Sequence, residues 1–208
     1  MGIIFNSIDK MSFNDLGEES EFIPLMTSED EEALEKEVLP DVLSILPLTN
    51  TVLFPGVVIP INAGSDKSIK LINDANKSNK LIGVVAQKSA KDENPSKDNI
   101  HGVGTVAKIL RVLKMPDGNT TVIIQGKKRF KIKSIVKTDP YIQATIDSVN
   151  DKNQKKSNSK FSATIDAIKD IALKIIKENP NIPSEASFAI KNIHSSAFLI
   201  NFVCSNMN

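Results

Sequence analysis

Between Val42 and Val149 the apolar residues recur mostly with a period of two, the repeat of β-strands. From Val103 to Met115 one face carries Val103, Thr105, Ala107, Ile109, Arg111, Leu113 and Met115, and the other carries Val106, Lys108, Leu110, Val112 and Lys114. That alternation predicts a long strand. Met115-Pro-Asp-Gly-Asn119 is a turn signature, with Pro presetting φ and Gly able to take positive φ, so Thr120 to Gln125 should return antiparallel. Phe130 and Ile132 alternate with charged neighbours in a next strand, and Ile142, Ala144 and Ile146 alternate with polar residues in another. Leu81 to Gln87 is an apolar run of strand length.

One helix interrupts the strands, from Asp66 to about Ser78, with Ser65 as its N-cap and Ile69, Ile72 and Ala75 as its stripe beside Leu71. Residues 88–99 read as a polar loop, and 151–159 as a linker, after which the period changes. Phe161, Ile165, Ile168, Ala172 and Ile175 then share a face of a helix that Asn179-Pro180 ends. Ser184 caps a short helix holding Phe188 and Ile190, and Ser195 or Ser196 caps a last one holding Phe198, Leu199, Phe202 and Val203. The pattern predicts an α+β chain, with a β-rich part over 42–150 and a helical part over 160–208.

The segment from Leu46 to Pro60, LPLTNTVLFPGVVIP, is apolar yet broken by three prolines. Pro47, Pro55 and Pro60 exclude a helix and impose short extended pieces joined by a turn at Pro55-Gly56. This segment resembles the opening strand and turn of the amino-terminal domain of the Lon family of ATP-dependent proteases. The block from Gly102 to Phe130, GVGTVAKILRVLKMPDGNTTVIIQGKKRF, is similar to that family's central hairpin, in the right order. The resemblance runs from about Val42 to the last residues. It implies a PUA-like β-pseudo-barrel subdomain with one inserted helix, followed by a small helical bundle, and a chain that stops before the family's long helical arm, AAA+ ATPase module and Ser-Lys protease module. It further implies a non-catalytic fragment that recognises unfolded or degron-bearing substrates and joins other Lon subunits in a homohexamer. ATP and Mg would belong to the missing module, leaving no cofactor in this chain.

Charge is unevenly distributed. Residues 1–41 hold twelve acids against Lys10 and Lys36, a net −10; since the whole chain is +1, the remainder carries +11. An acidic leader with scattered apolar residues is expected to be disordered apart from a short helix near residues 29–38, and a fold-back onto the basic body is an alternative. The single Cys204 forms no internal disulfide, which fits a reducing compartment such as the cytoplasm. No stretch reaches the roughly 18 apolar residues of a membrane span, so no membrane partner is expected.

Two constellations invite a functional reading. Lys127, Arg129, Lys131 and Lys133 alternate along a strand, so all four should project from one face while Phe130 and Ile132 enter the core. That face is either a solvated exterior or an anion surface for nucleic acid, polyphosphate or acidic substrate segments. Aromatics for base stacking are not interleaved there. The apolar turn from Thr51 to Val57 is either core or, where Leu53, Phe54 and Pro55 stay exposed, a patch for unfolded chains. Met115 is a weaker member of that set.

No catalytic or metal set emerges: His101 and His194 lie far apart and read as surface or capping residues. Gly102-Val-Gly-Thr-Val-Ala107 opens a strand, whereas a dinucleotide fingerprint opens a helix. Gly126-Lys-Lys128 lacks both the first Gly and the Ser or Thr of a phosphate loop. Substrate recognition in a Lon-type protease is thus the leading reading, ahead of a free-standing PUA-like nucleic-acid-binding module and of a small complete enzyme.

Overall fold

The structure, a computed structural model, describes residues 38–89, 95–115, 120–149, 159–180, 182 and 185–207. They fall into two compact units, one within Ala33–Asn150 and the other within Asp151–Asn208. The expectations for the leader, the Ser184 cap, the turn at 116–119 and most of the linker lie outside the described residues.

The first unit runs β1 (Val42–Leu48), β2 (Val58–Ala63), α1 (Asp66–Asn76), β3 (Leu81–Ala86), a 3₁₀ turn (Lys97–Asn99), β4 (Val103–Lys114), β5 (Thr120–Lys137) and β6 (Gln143–Ser148). β1 pairs parallel with β3 and antiparallel with β6, while β4 lies antiparallel between β3 and β5. β5 also pairs with β6, which closes a ring of five strands, and its first half carries β2. The parallel β1/β3 pair is spanned by the crossover through β2 and α1, as parallel neighbours require. Pro47 and Pro60 stand where their missing N–H costs nothing. Pro47 lies three residues beyond Ser44, the last β1 residue in register with β6, and β2 has β5 as its one strand partner among the described residues.

The α+β expectation is met, with several differences in detail. β5 is one strand of 18 residues where a hairpin return and a separate strand were expected. Its length is possible because it bends. Bulges allow a strand to change direction while keeping its ladder, and register shifts interrupt β5 near Lys127-Lys128, Lys133 and Val136. α1 starts as expected, its first turn capped by Ser65 Oγ accepting from the Ser68 amide at 3.2 Å, but stops at Asn76. Leu71, Ile72 and Ala75 are its buried residues.

One core cluster joins Leu43, Ile45, Val85, Ile100, Val106, Phe130, Ile142, Ala144 and Ile146. Phe130 is fully buried, its ring filling the space left by Gly104 on the adjacent β4 and by Gly83 on β3, one strand further on.

The helical unit holds α2 (Ser159–Glu178), α3 (Glu185–Asn192) and α4 (Ser196–Ser205). α2 begins at Ser159, so the linker expected over 151–159 gives up its last residue. Phe161, Ile165, Ile168 and Ala172 are half-buried as expected, but Ile175 is 54 % exposed and Ile176 takes its place. Stripe drift explains this: 3.6 residues per turn carries position 175 to the edge of the face. Lys169 Nζ donates to the carbonyls of Lys191 (3.3 Å) and Ile193 (2.9 Å), satisfying acceptors at the end of α3. Ile190 is buried, whereas Phe188, expected with it, is 62 % exposed. Ser195, rather than Ser196, caps α4 by accepting from the Phe198 amide at 3.0 Å.

Candidate functional site

The apolar turn is a β-turn over Phe54-Pro55-Gly56-Val57, in which the Val57 amide donates to the Phe54 carbonyl at 3.2 Å. Gly56 has φ 80°, and Pro followed by a residue of positive φ is the type II pattern. β5 holds this turn in place. The Gly56 amide donates to the Gly126 carbonyl at 2.9 Å, and the Gly126 amide donates to the Val57 carbonyl at 2.9 Å. Ahead of the turn, Thr105 Oγ1 donates to the Leu53 carbonyl at 2.7 Å in a buried bond. Because both groups are removed from water, losing either would leave an unsatisfied partner.

Leu53, at 4 % exposure, and Pro55 are buried, so they pack the turn and present no surface. Phe54 is half-buried, and Val52, 54 % exposed, is the accessible apolar residue beside it. Met115 is 38 % exposed at the end of β4. Within β4 itself Leu110 is 44 % exposed, because β4 advances two residues from Ile109 to Arg111 while β5 advances one, which extrudes the residue between. Val52 and Leu110 were not singled out from sequence. The signal for Leu110 is hidden, since strict alternation places it with the buried Val106.

The cations of β5 do not form the uninterrupted row that alternation predicted. Thr105 pairs with Arg129 and Ala107 with Gly126, so three steps on β5 match two on β4 and Lys127-Lys128 form a bulge. A second shift places Lys133 in another bulge. Arg129 and Lys131 keep the alternation. Lys133 Nζ lies 2.7 Å from Asp147 Oδ1, and both side chains are more than half exposed, a pair worth about 0 to 1 kcal/mol. Gly126 joins the two constellations, since it clamps the turn and immediately precedes the cations. A Cβ on Gly126 would collide with the Phe54 carbonyl oxygen.

Beside these cations is an open cleft of about 310 Å³, lined by Val38, Leu39, Pro40, Asp41, Lys128, Ile146, Asp147 and Ser148. The chain enters the unit here: the Asp41 carbonyl accepts from the Ile146 amide at 3.0 Å and Leu39 packs on the core cluster. Gly126-Lys-Lys128 lies within a strand and Gly102-Val-Gly104 leads into one, so neither offers the helix N-terminus that holds a nucleotide's phosphates. His101 and His194 are both exposed. Among the described residues no group of three His, Cys, Asp or Glu stands together, and no helix is long and apolar enough to cross a membrane.

A closed ring of five strands carrying a sixth, in a chain that also folds a helical unit, defines an α+β protein of the kind seen at the amino terminus of Lon proteases. Two solved structures share this fold. They are the N-terminal domain of Mycobacterium avium complex Lon protease (TM-score 0.62, 20 % identity, covering 77 % of this chain and 80 % of that one) and the Lon N-terminal domain protein from Xanthomonas campestris (TM-score 0.52, 14 % identity, covering 80 % and 99 %). The family model described as the ATP-dependent protease La (LON) substrate-binding domain matches residues 42–208, and the chain belongs to that family. Lon protease of Flavobacterium johnsoniae is 62 % identical over 202 residues, covering 97 % of this chain and 25 % of the relative. Lon protease of Cytophaga hutchinsonii is 50 % identical over 188 residues, covering 90 % and 23 %. The chain therefore spans about a quarter of the length of these relatives.

Proposed function

We propose that this chain is the substrate-recognition part of an ATP-dependent Lon-type serine protease. It engages unfolded or degron-bearing polypeptides and passes them to ATPase and protease modules elsewhere in the full-length protein. The match of the substrate-binding domain family over residues 42–208 carries this reading. In it the protease assembles as a homohexamer in the cytoplasm, ATP and Mg act in the ATPase module, and this chain serves recognition and assembly without catalysis. The acidic leader (1–41), β-rich subdomain (42–150), linker (151–159) and helical subdomain (160–208) are its parts.

Geometry supports the reading through accessible apolar side chains on a hydrogen-bonded frame. Phe54 opens the clamped turn with Val52 just ahead of it, while Leu110 projects from β4 and Met115 directly follows that strand. Unfolded chains differ from folded ones by their exposed apolar segments, and such surface is what would select them. Leu53 and Pro55 act in this reading by holding Phe54 in place.

The test is to titrate a permanently unfolded, carboxymethylated protein and a short DNA duplex against wild type, Val52→Ser/Met115→Ser and Lys127→Glu/Arg129→Glu at two salt concentrations. Polypeptide binding should vary little with salt and weaken in the apolar variant. Duplex binding that falls with salt at a slope near −0.9 per phosphate, lost on charge reversal and without affinity for unfolded protein, would overturn the reading.

A further inference from the structure

We propose that the outer edge of β2 is a strand-pairing site, where a segment of unfolded polypeptide adds to the sheet as an additional antiparallel strand. The proposal rests on the recognition reading above and names the geometry that holds a bound segment. β2 is an end strand of the sheet, whereas the β5/β6 pairing closes the other strands on one another. Among the described residues no helix or strand other than β5 runs alongside β2. The Gly126 amide donates to the Val57 carbonyl, and hydrogen-bonded pairs alternate along an antiparallel ladder. Ile59, Ile61 and Ala63 therefore direct their backbone groups at β5, opposite Ile124, Val122 and Thr120. Those of Val58, Pro60 and Asn62 point out of the edge, and no other described backbone group bonds them there. Val58 and Asn62 each offer a donor and an acceptor; Pro60 offers an acceptor alone, having no amide hydrogen.

Three arguments choose the occupant. Backbone groups are common to every chain, so an open ladder suits a partner defined by being unfolded rather than by its sequence. The edge also continues the apolar surface already described, because β2 begins at Val58, directly after the turn that Phe54 opens. Pro60 argues against a second copy of this chain: β2 centred antiparallel on β2 sets Pro60 opposite Pro60, and neither can donate. An ordinary residue in that place donates to the Pro60 carbonyl. The register sets a preference as well. Ile59 and Ile61 are buried, whereas Val58 and Pro60 are half-buried and Asn62 is exposed. Residues opposite Val58, Pro60 and Asn62 share their outward face, and those between lie on the face of Ile59 and Ile61. A segment that alternates polar and apolar residues fits both.

The experiment uses the full 208-residue chain. The probes are a short Lys-flanked peptide of alternating Thr and Val and two copies of it, N-methylated either at every Thr or at every Val. In the proposed register the Thr amides face β2, so methylation there should weaken binding about tenfold while methylation at Val is tolerated. Asn62→Pro, which removes an edge donor, should weaken the unmodified peptide by a similar factor. Asn62→Ala keeps the amide and should bind as wild type does; circular dichroism first establishes that both variants are folded. Nuclear magnetic resonance should show the amides of Val58 and Asn62 exchanging more slowly once peptide is bound. Equal binding of the two methylated peptides, or Asn62→Pro binding like Asn62→Ala, would overturn the edge while leaving the recognition reading intact. No affinity for the peptide or for a carboxymethylated unfolded protein would overturn both. Self-association of the full chain that Asn62→Pro abolished would give the edge to a second copy and likewise overturn the proposal.

Discussion

The backbone of Gly126 lies against that of Phe54 so closely that no side chain fits between them. This contact fixes the apolar turn to β5 and puts the accessible edge of Phe54 beside the start of the cation-rich stretch. Gly126→Ala should therefore push the turn away from the strand and destabilise the unit by about 1 to 3 kcal/mol. Urea unfolding followed by circular dichroism measures it; an unchanged midpoint would show that the turn is not clamped there.

Phe130 and Phe188 make opposite predictions from one residue type. Phe130 is fully buried in the strand unit's core, so Phe130→Ala should cost about 3 to 5 kcal/mol. Phe188 is 62 % exposed, and Phe188→Ala should stay within about 0.5 kcal/mol. Equal losses on urea unfolding would contradict the placement of both rings.

Ser195 and Ser196 are adjacent, yet one caps α4 and the other begins it. Ser195→Ala removes the acceptor for the Phe198 amide and should cost about 1 kcal/mol, whereas Ser196→Ala should have little effect. The reverse order in thermal unfolding would place the cap on the wrong residue.

Tyr141 is the chain's one tyrosine, and there is no Trp, so its phenolate absorbance can be read directly. Burial, then the hydrogen bond its hydroxyl donates to Asp74 Oδ2 at 3.1 Å and the charge of that carboxylate, raise its pKa above 10.0; a bond with Ser44 opposes them. A raised folded-state pKa means the neutral phenol is favoured in the fold. The contribution is thus fully present below about pH 10 and is lost as pH climbs through the folded value. Asp74→Asn should lower the midpoint; a wild-type midpoint at or below that of free tyrosine would contradict the contact.

Much of the fold can be read from the chain because period and cap residues are local properties. The alternation of Val103 to Met115 marks β4, Ser65 marks the start of α1, and Ile142, Ala144 and Ile146 are buried as their spacing requires. What escaped depends on partners distant in sequence. The bulges at Lys127-Lys128 and Lys133 arise from register with β4 and β6, and no pattern within β5 signals where those strands fall out of step. For the same reason four alternating cations read as one face when two of them stand in bulges. Gly126 did carry a signal, since a glycine inside an alternating strand marks close approach by another backbone. For Leu53 and Pro55 the sequence leaves core and surface roles both open; the bond from Thr105, 52 residues away, shows the backbone of Leu53 anchored in the interior.

Hydrogen exchange of the full chain, with and without a saturating unfolded polypeptide, tests the account most directly because it reports which backbone regions the bound chain covers. The account predicts slowed exchange at residues 52–54 and 110–115, retained at high salt, while the amides of 127–133 change little. Protection confined to residues 127–133 and erased by salt, or no protection at 52–54 and 110–115, would contradict it.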